Sequence, residues 1–161
     1  MSNPSPAELR QRWRWRWIGS LFEFSHLEYQ KGLWIDQKYP NEVGWFNEDM
    51  HQYFDDLNLD DHYEFQIKKG IISMDEFEAI KEFHFAFDHY LDSEIMKNPD
   101  IRDEEILNDE EWQSVVAKGL ACWNRLKNII TDKNELEHMV GLEKNYLTIE
   151  IKENKLKVTT E

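Results

Sequence analysis

The stretch DEEWQSVVAKGLACWNRLKNII, residues 109–130, has the repeat of an amphipathic α-helix. At 100° per residue, one face gathers the apolar side chains and the other gathers polar ones. Gly119 lies in the middle of the apolar face, where a missing side chain lets a neighbouring helix approach closely. The apolar face comprises Trp112, Val115, Val116, Gly119, Leu120, Cys122, Trp123, Leu126, Ile129 and Ile130. The sequence therefore predicts a long helix with one buried side.

Working outward from this stretch, capping signals predict further helices. Ser5, Ser25 and Ser73 each stand three residues before a Glu, and Pro6 occupies a first helical position. Asn108 and Asp132 follow the same logic, with Asn or Asp as the cap and a Glu three residues later. The predicted helices lie near 6–24, 26–37, 48–55 (capped by Asn47), 74–92, 109–130 and 133–140.

The end of the chain changes to a period of two. Leu147, Ile149 and Ile151 alternate with polar residues, and after a short turn Leu156 and Val158 alternate with lysines. This pattern predicts a β-hairpin over 146–160. We therefore expect a single domain over 1–161, mainly α, with a compact helical body of five to six helices over 5–140 and this C-terminal hairpin.

The composition restricts the class of function. The chain of 161 residues carries a formal net charge of −14, and residues 36–111, with 23 acidic and six basic side chains, hold a net charge of −17. Such a surface repels nucleic acid and anionic lipid, and it attracts a basic partner. A highly soluble face with no partner is the alternative. One cysteine, no signal-like segment in Met1–Gln11 and no apolar run of membrane length favour a cytoplasmic protein.

A metal site is one candidate chemistry. Glu23 and His26, like Glu135 and His138, have the Glu-x-x-His spacing that di-iron helical bundles use. Two such pairs are close to the number that chance gives. Because Ser25 is a predicted cap, Glu23 and His26 also fall on different helices. We therefore expect no metal and no cofactor, and a metal-dependent helical enzyme is the alternative.

Other candidate catalytic groups favour structural roles. His84 falls inside an apolar stripe with Asp88 one turn later, which is the arrangement of a general base and its orienting acid, but also of a buried histidine satisfied by a neighbour. Cys122 lies on the predicted buried face and suits an inert thiol. Phe85 points away from its helix's apolar side and is a weak sign of a contact surface. We expect no catalytic residues.

The segment RWRWRW, residues 12–17, alternates arginine and tryptophan. This composition can bind membranes or stack on bases. In a helix, however, Trp13, Trp17, Leu21 and Phe24 share a face and are expected in the core. Arg12 and Arg16 are then free to pair with the acidic residues of the same molecule.

Four short motifs, in order, carry a resemblance to a known family. They are Ser25-x-x-Glu28-Tyr29-Gln30 with Trp34 four residues later, Tyr53-Phe54-Asp55-Asp56, the segment 70–79, and Trp112-x-x-Val115. In this arrangement, over residues 18–128, the chain resembles the bacterial immunity proteins of contact-dependent growth-inhibition and polymorphic toxin systems. Trp34 is expected in the core, and Gln30 is expected to form hydrogen bonds inside the protein.

The resemblance implies a protein that binds and neutralises a cognate toxin domain without catalysis. Many toxin domains are basic nucleases, and carboxylates of an inhibitor can occupy phosphate positions. The acidic clusters would then speed the capture of the toxin. The expected partner-binding residues are Asp55, Asp56, Asp60, Asp61, Asp103, Glu104 and Glu105. An unrelated small cytosolic adaptor is the remaining alternative, and gene neighbourhood separates it from an immunity protein.

Overall fold

The computed structural model describes residues 3–147, and these residues are mainly helical and contain no β-strand. Two of the helices end in π-helical turns, Lys31–Ile35 after the helix Leu27–Gln30 and Gln52–Asp56 after the helix Phe46–His51. A 3-10 turn, Ile95–Lys97, follows the helix Met74–Tyr90. The helices are α1 Pro6–Phe24, α2 Leu27–Gln30, α3 Phe46–His51, α4 Glu64–Lys68, α5 Met74–Tyr90, α6 Asp103–Leu107, α7 Glu110–Ile129 and α8 Lys133–Tyr146.

The largest helix pair is α5 against α7. The two helices are antiparallel, since Tyr90 at the end of α5 donates a hydrogen bond to Asp109 at the start of α7 (2.8 Å). Gly119 lies where α7 passes the end of α1, and a Cβ there would meet Phe83 at 3.1 Å and the carbonyl oxygen of Phe24 at 3.2 Å. The predicted close approach at Gly119 is therefore confirmed.

Helices α1 and α8 run side by side in the same direction. Gln11 near the start of α1 donates to Glu135 near the start of α8 (3.2 Å), and Phe22 near the end of α1 contacts Tyr146 at the end of α8. The core between the helices is strongly aromatic. Its largest fully buried side chains include Trp17, Trp112, Trp123, Tyr53, Tyr63, Tyr90, Phe22, Phe24, Phe83 and Phe87.

Three predicted helix starts are confirmed by the cap geometry. The side chains of Ser5, Ser73 and Asp132 each accept a hydrogen bond from the backbone three residues on, and Ser73 and Glu76 form a complete capping box. Three predicted caps are wrong. Ser25 donates its hydroxyl hydrogen to the carbonyl of Phe22, so α2 begins after His26. Helix α3 begins after Trp45 rather than after Asn47, and the cap of α7 is Asp109 rather than Asn108.

The fold differs from the prediction in three places. Helix α8 continues beyond 140 to Tyr146, because Leu142 and Tyr146 extend its apolar stripe past Gly141. Short helices α4 and α6 were not predicted, since five residues are too few for a periodic signal. Tyr146 is helical and so does not begin a hairpin, and the rest of the hairpin predicted over 146–160 lies, apart from Leu147, outside the described residues.

Candidate partner-binding surface

The acidic residues of the middle of the chain divide into two groups in space. Asp55, Asp56, Asp60 and Asp61 are exposed and lie around the end of the helical stretch that starts at Phe46. Asp103, Glu104 and Glu105 lie at the other end of that stretch, where Asp103 accepts a hydrogen bond from the backbone of Phe46 (3.3 Å). About ten helical residues separate the groups, a span of about 15 Å.

Within the first group, two carboxylates have structural partners and two do not. Asp55 is paired with His51 one turn earlier (2.7 Å), and Asp61 accepts from the backbone N–H of Phe65 (2.9 Å) at the start of α4. Asp56 and Asp60 have no partner among residues 3–147. Their charge is therefore fully available to a second molecule.

The second group is more closely tied to the fold. Asp103 is half-buried, and burial, only partly opposed by the hydrogen bond from Phe46, raises its pKa. Glu105 pairs with Arg102 (3.0 Å) and completes the start of α6. Only Glu104 is exposed, beside a 420 Å³ cavity that Leu27 and Lys31 also line.

An aromatic pair lies beside the first acidic group. Phe85 of α5 is 44% exposed, which confirms its predicted outward direction, and its ring lies 4.9 Å from the ring of His62. His62 directly follows Asp60 and Asp61 in the chain, while Phe54, next to Asp55, contacts His84 beneath the pair. We call these residues the acidic–aromatic surface: Asp55, Asp56, Asp60, Asp61, His62 and Phe85.

A chain of buried hydrogen bonds supports this surface from inside. Trp17 donates to the hydroxyl of Tyr63 (2.8 Å), and that hydroxyl lies 2.8 Å from the hydroxyl of Tyr53. Tyr53 is 2.9 Å from Nδ1 of His84, whose Nε2 is 3.1 Å from Nδ1 of His62. Because an indole N–H can only donate, Trp17 is the first donor of the chain. Every donor then has an acceptor when Tyr63 donates to Tyr53, Tyr53 donates to His84, and His84 donates to His62.

His84 therefore serves a structural role rather than acting beside Asp88. Both of its ring nitrogens are used, by Tyr53 and by His62. Burial, and after it the neighbouring His62, lowers the pKa of His84 to about 3. The ring is thus neutral at physiological pH, which is the state that its two hydrogen bonds require.

The backbone under His62 is held in an uncommon conformation. His62 and Tyr63 have φ angles of 60° and 72°, two consecutive non-glycine residues in the left-handed region. Each such residue costs on the order of 1 kcal/mol. The buried Tyr63 hydroxyl, bound on both sides, holds the turn in place. Sequence reasoning missed this turn, because tyrosine does not signal a positive φ and histidine is only enriched there, not specific to it.

The four residues of the metal hypothesis each have a different neighbour. Glu23 accepts from the indole of Trp34, and Ser25 and Phe22 bind His26. The carboxylate of Glu135 is held by Arg14, and His138 stacks on Trp15. Among residues 3–147, no three side chains of ligand type converge on a metal site. Glu23 and His26 thus do not come together with Glu135 and His138 in one metal site.

The predicted pairing of Arg12 and Arg16 with acidic residues is wrong, and Arg14 takes that role instead. Arg14 is buried and makes two hydrogen bonds to each carboxylate of Glu76 and Glu135, at 2.6–3.0 Å. Arg12 and Arg16 are exposed and have no acidic partner within 3–147. The sequence signal that was overlooked is that Arg14 lies on the same helix face as the buried Trp17 and Ile18.

A second buried acidic pair lies at the other end of α1. The indole of Trp34 donates to Glu23 (3.0 Å) and to Asp49 (3.2 Å), which brings these two carboxyl groups together. Burial, followed by the neighbouring Asp49, raises the pKa of Glu23 well above its ordinary value. The pair therefore retains a proton where exposed carboxyl groups have lost theirs.

The structural roles expected for Trp34 and Gln30 are confirmed. Trp34 is buried, and Gln30 is fully buried, with its amide nitrogen donating to the carbonyl of Glu23 and its oxygen accepting from Trp112.

No family model matches the chain, and no curated protein and no solved structure matches it either. No helix within 3–147 combines the length and hydropathy that crossing a membrane requires.

Proposed function

We propose that this chain is a cytoplasmic immunity protein that binds and neutralises a cognate, basic toxin domain through its acidic–aromatic surface, without catalysis. The resemblance over residues 18–128 supports the class of function. The charge of −17 over residues 36–111 supports the basic character of the partner.

The observation that carries the proposal is the position of Phe85 and His62 beside the acidic group. Interfaces are stabilised by a few aromatic or arginine anchors, and surrounding charges set the rate of association. Phe85 offers such an anchor, because a basic partner can pack the aliphatic stem of an arginine or lysine on the ring while the charged end reaches Asp60 or Asp61.

The buried support beneath the anchor favours tight binding. His62 is fixed from below by His84, and Tyr63 is fixed by Trp17 and Tyr53. A surface that is ordered before binding loses less conformational entropy when the complex forms. The second acidic group contributes mainly Glu104, since Asp103 and Glu105 already have partners.

Co-expression with the product of the neighbouring gene tests the proposal. We expect that product to arrest growth of a host cell, this chain to restore growth, and the two proteins to purify as one complex. A harmless neighbouring product, or one that the chain does not bind, would contradict the proposed function.

Phe85→Ala then tests the surface. Because Phe85 is exposed, the variant should fold, and we expect about 30-fold or greater loss of affinity, as for an interface anchor. Met74→Ala is the matched control, since Met74 is an exposed apolar residue on the same helix. Equal affinity of both variants would rule the surface out.

A further inference from the structure

A groove between α1 and α8 lies outside the acidic–aromatic surface. Its volume is about 970 Å³, and it is lined by two stripes at helical spacing, one on each helix. The α1 stripe carries Arg12, Trp15 and Arg16, and the α8 stripe carries Asn134 and His138. Glu8, Gln11 and Glu137 complete its edges.

The floor of the groove is an aromatic stack. The indole of Trp15 lies 4.0 Å from the imidazole of His138, with only 13° between the ring planes. Trp15 nevertheless remains 38% exposed, so that a further flat ring can cover the rest of it. The stack of Trp15 and His138 therefore has room for one further ring on Trp15.

The two arginines of the groove are free although acidic side chains are abundant. The chain has 33 acidic and 19 basic residues, yet Arg12 and Arg16 have no acidic partner within 3–147. They lie one helical turn apart in the row next to Trp15, and all three line the groove. Two adjacent guanidinium groups beside an aromatic platform are suited to an anion that is attached to a planar ring.

A third feature of the groove is a polar atom without a partner. Nε2 of His138 is buried and has no hydrogen bond among the described residues. Burial lowers the pKa of His138, so the ring is neutral and stacks as an aromatic group rather than repelling the arginines. The amide of Asn134, one turn before His138, offers both a donor and an acceptor to the edge of a bound ring.

We propose that this groove binds a free nucleotide, with the base stacked on Trp15 and the phosphates held by Arg12 and Arg16. The first turn of α8 lies beside this part of α1, since Gln11, next to Arg12, donates to Glu135, and the positive dipole end of α8 further favours an anion near Arg12. A long nucleic-acid strand fits poorly, since the net charge of −14 repels a polyanion.

The proposal goes beyond the immunity function and does not depend on it. Titration of the full chain with ATP, followed by calorimetry, tests it directly. We expect saturable one-to-one binding, with adenosine and inorganic phosphate each binding at least about tenfold more weakly, because each makes only half of the contacts.

Three variants locate the site. Trp15→Ala should weaken ATP binding by about 5- to 150-fold, the range for the loss of one stacked base, while Trp15→Phe should retain most of it. Arg12→Glu with Arg16→Glu should abolish measurable binding. Arg10→Glu is the matched control, since Arg10 is exposed on the same helix but does not line the groove, and it should bind as the wild type does.

Several results would overturn the proposal. The absence of saturable ATP binding would do so, as would an equal loss in the Arg10→Glu variant, which would indicate an unspecific charge effect. A single-stranded oligonucleotide that binds more tightly than ATP would refute a free nucleotide as the ligand.

Discussion

Tyr63 shows how a single residue connects the interior to the surface. Its backbone adopts a left-handed conformation, its ring is fully buried, and its hydroxyl is bound by both Trp17 and Tyr53. The hydroxyl thus fixes the turn that places His62 beside Phe85. Removing one atom at this position is expected to affect both stability and binding.

Tyr63→Phe should lower the free energy of unfolding by about 1–3 kcal/mol, because the indole N–H of Trp17 loses its buried acceptor. Urea denaturation measures the change. Tyr39→Phe is the matched control: the Tyr39 hydroxyl is buried and has no hydrogen-bond partner in the described part of the chain, so its removal should be neutral or stabilising. Equal losses in the two variants would show that the hydrogen-bond chain does not stabilise the protein.

Glu23 gives the protein an unusual dependence on pH. Its pKa is raised in the folded state by burial and by Asp49, so the folded protein binds more protons than the unfolded chain above the ordinary value of 4.5. The contribution of Glu23 to stability therefore falls as the pH rises from about 4.5 toward the raised pKa, by at most about 1.4 kcal/mol per pH unit, whereas His84, with its lowered pKa, contributes a rise up to about pH 6.5.

Glu23→Gln should remove this fall and be more stable than the wild type at alkaline pH, because the amide can donate to Asp49 and accept from Trp34 without charge. Thermal unfolding from pH 5 to 9 gives the comparison. Glu48→Gln, at an exposed glutamate next to Asp49, should keep the slope of the wild type. A difference in stability between Glu23→Gln and the wild type that does not grow as the pH rises would contradict the raised pKa of Glu23.

At the scale of elements, the sequence predicted what local patterns encode and missed what distant contacts impose. The caps at Ser5, Ser73 and Asp132 are local and are confirmed, and so is most of the apolar face of α7, although its predicted members Leu120 and Ile129 are exposed. The turn at His62–Tyr63 and the groove between α1 and α8 depend on which helices meet. No spacing within one element encodes such pairings.

Arg14 is the clearest case of a contact between elements. From α1 it binds Glu76 of α5 and Glu135 of α8, and it also donates to the carbonyl of Ile71 (2.8 Å). Burial would raise the pKa of Glu76, but the hydrogen bonds from Arg14 and Ser73 outweigh it and hold the pKa below its ordinary value. The cluster joins three helices through charge.

Arg14→Met should lower the free energy of unfolding by about 3–5 kcal/mol at pH 7, because two buried carboxylates lose their cation. The loss should shrink near pH 4, where protonation removes the charge of Glu76 in the variant and where Glu76 in the wild type begins to lose its stabilising effect. Urea denaturation at both pH values measures this. Arg10→Met, at an exposed arginine that has no partner among residues 3–147, should change stability by less than about 0.5 kcal/mol. A loss at Arg14 that is independent of pH would point to packing rather than charge.

At the scale of the whole molecule, the distribution of charge matters more than its total. The acidic–aromatic surface and the groove with the free arginines belong to different elements. The first uses the end of α3, the loop before α4, and α5, whereas the second lies between α1 and α8. The two proposed sites, one for a basic protein and one for a small anion, therefore lie on different parts of the molecule.

Capture of a basic partner by the acidic–aromatic surface is the central claim, and the rate of association as a function of salt tests it most directly. Asp56 and Asp60 are the residues to reverse, since Asp55 and Asp61 also support the local structure. Asp92→Lys with Asp100→Lys is the control, because it changes the total charge equally at exposed positions beyond α5.

The measurement is stopped-flow association with the co-expressed toxin domain. The account predicts that the wild type associates fast at low salt and that its association slows steeply as salt is added. Asp56→Lys with Asp60→Lys should slow association about tenfold or more and flatten this salt dependence. The control pair should have a much smaller effect. An association rate that neither salt nor the reversal of Asp56 and Asp60 changes would contradict it.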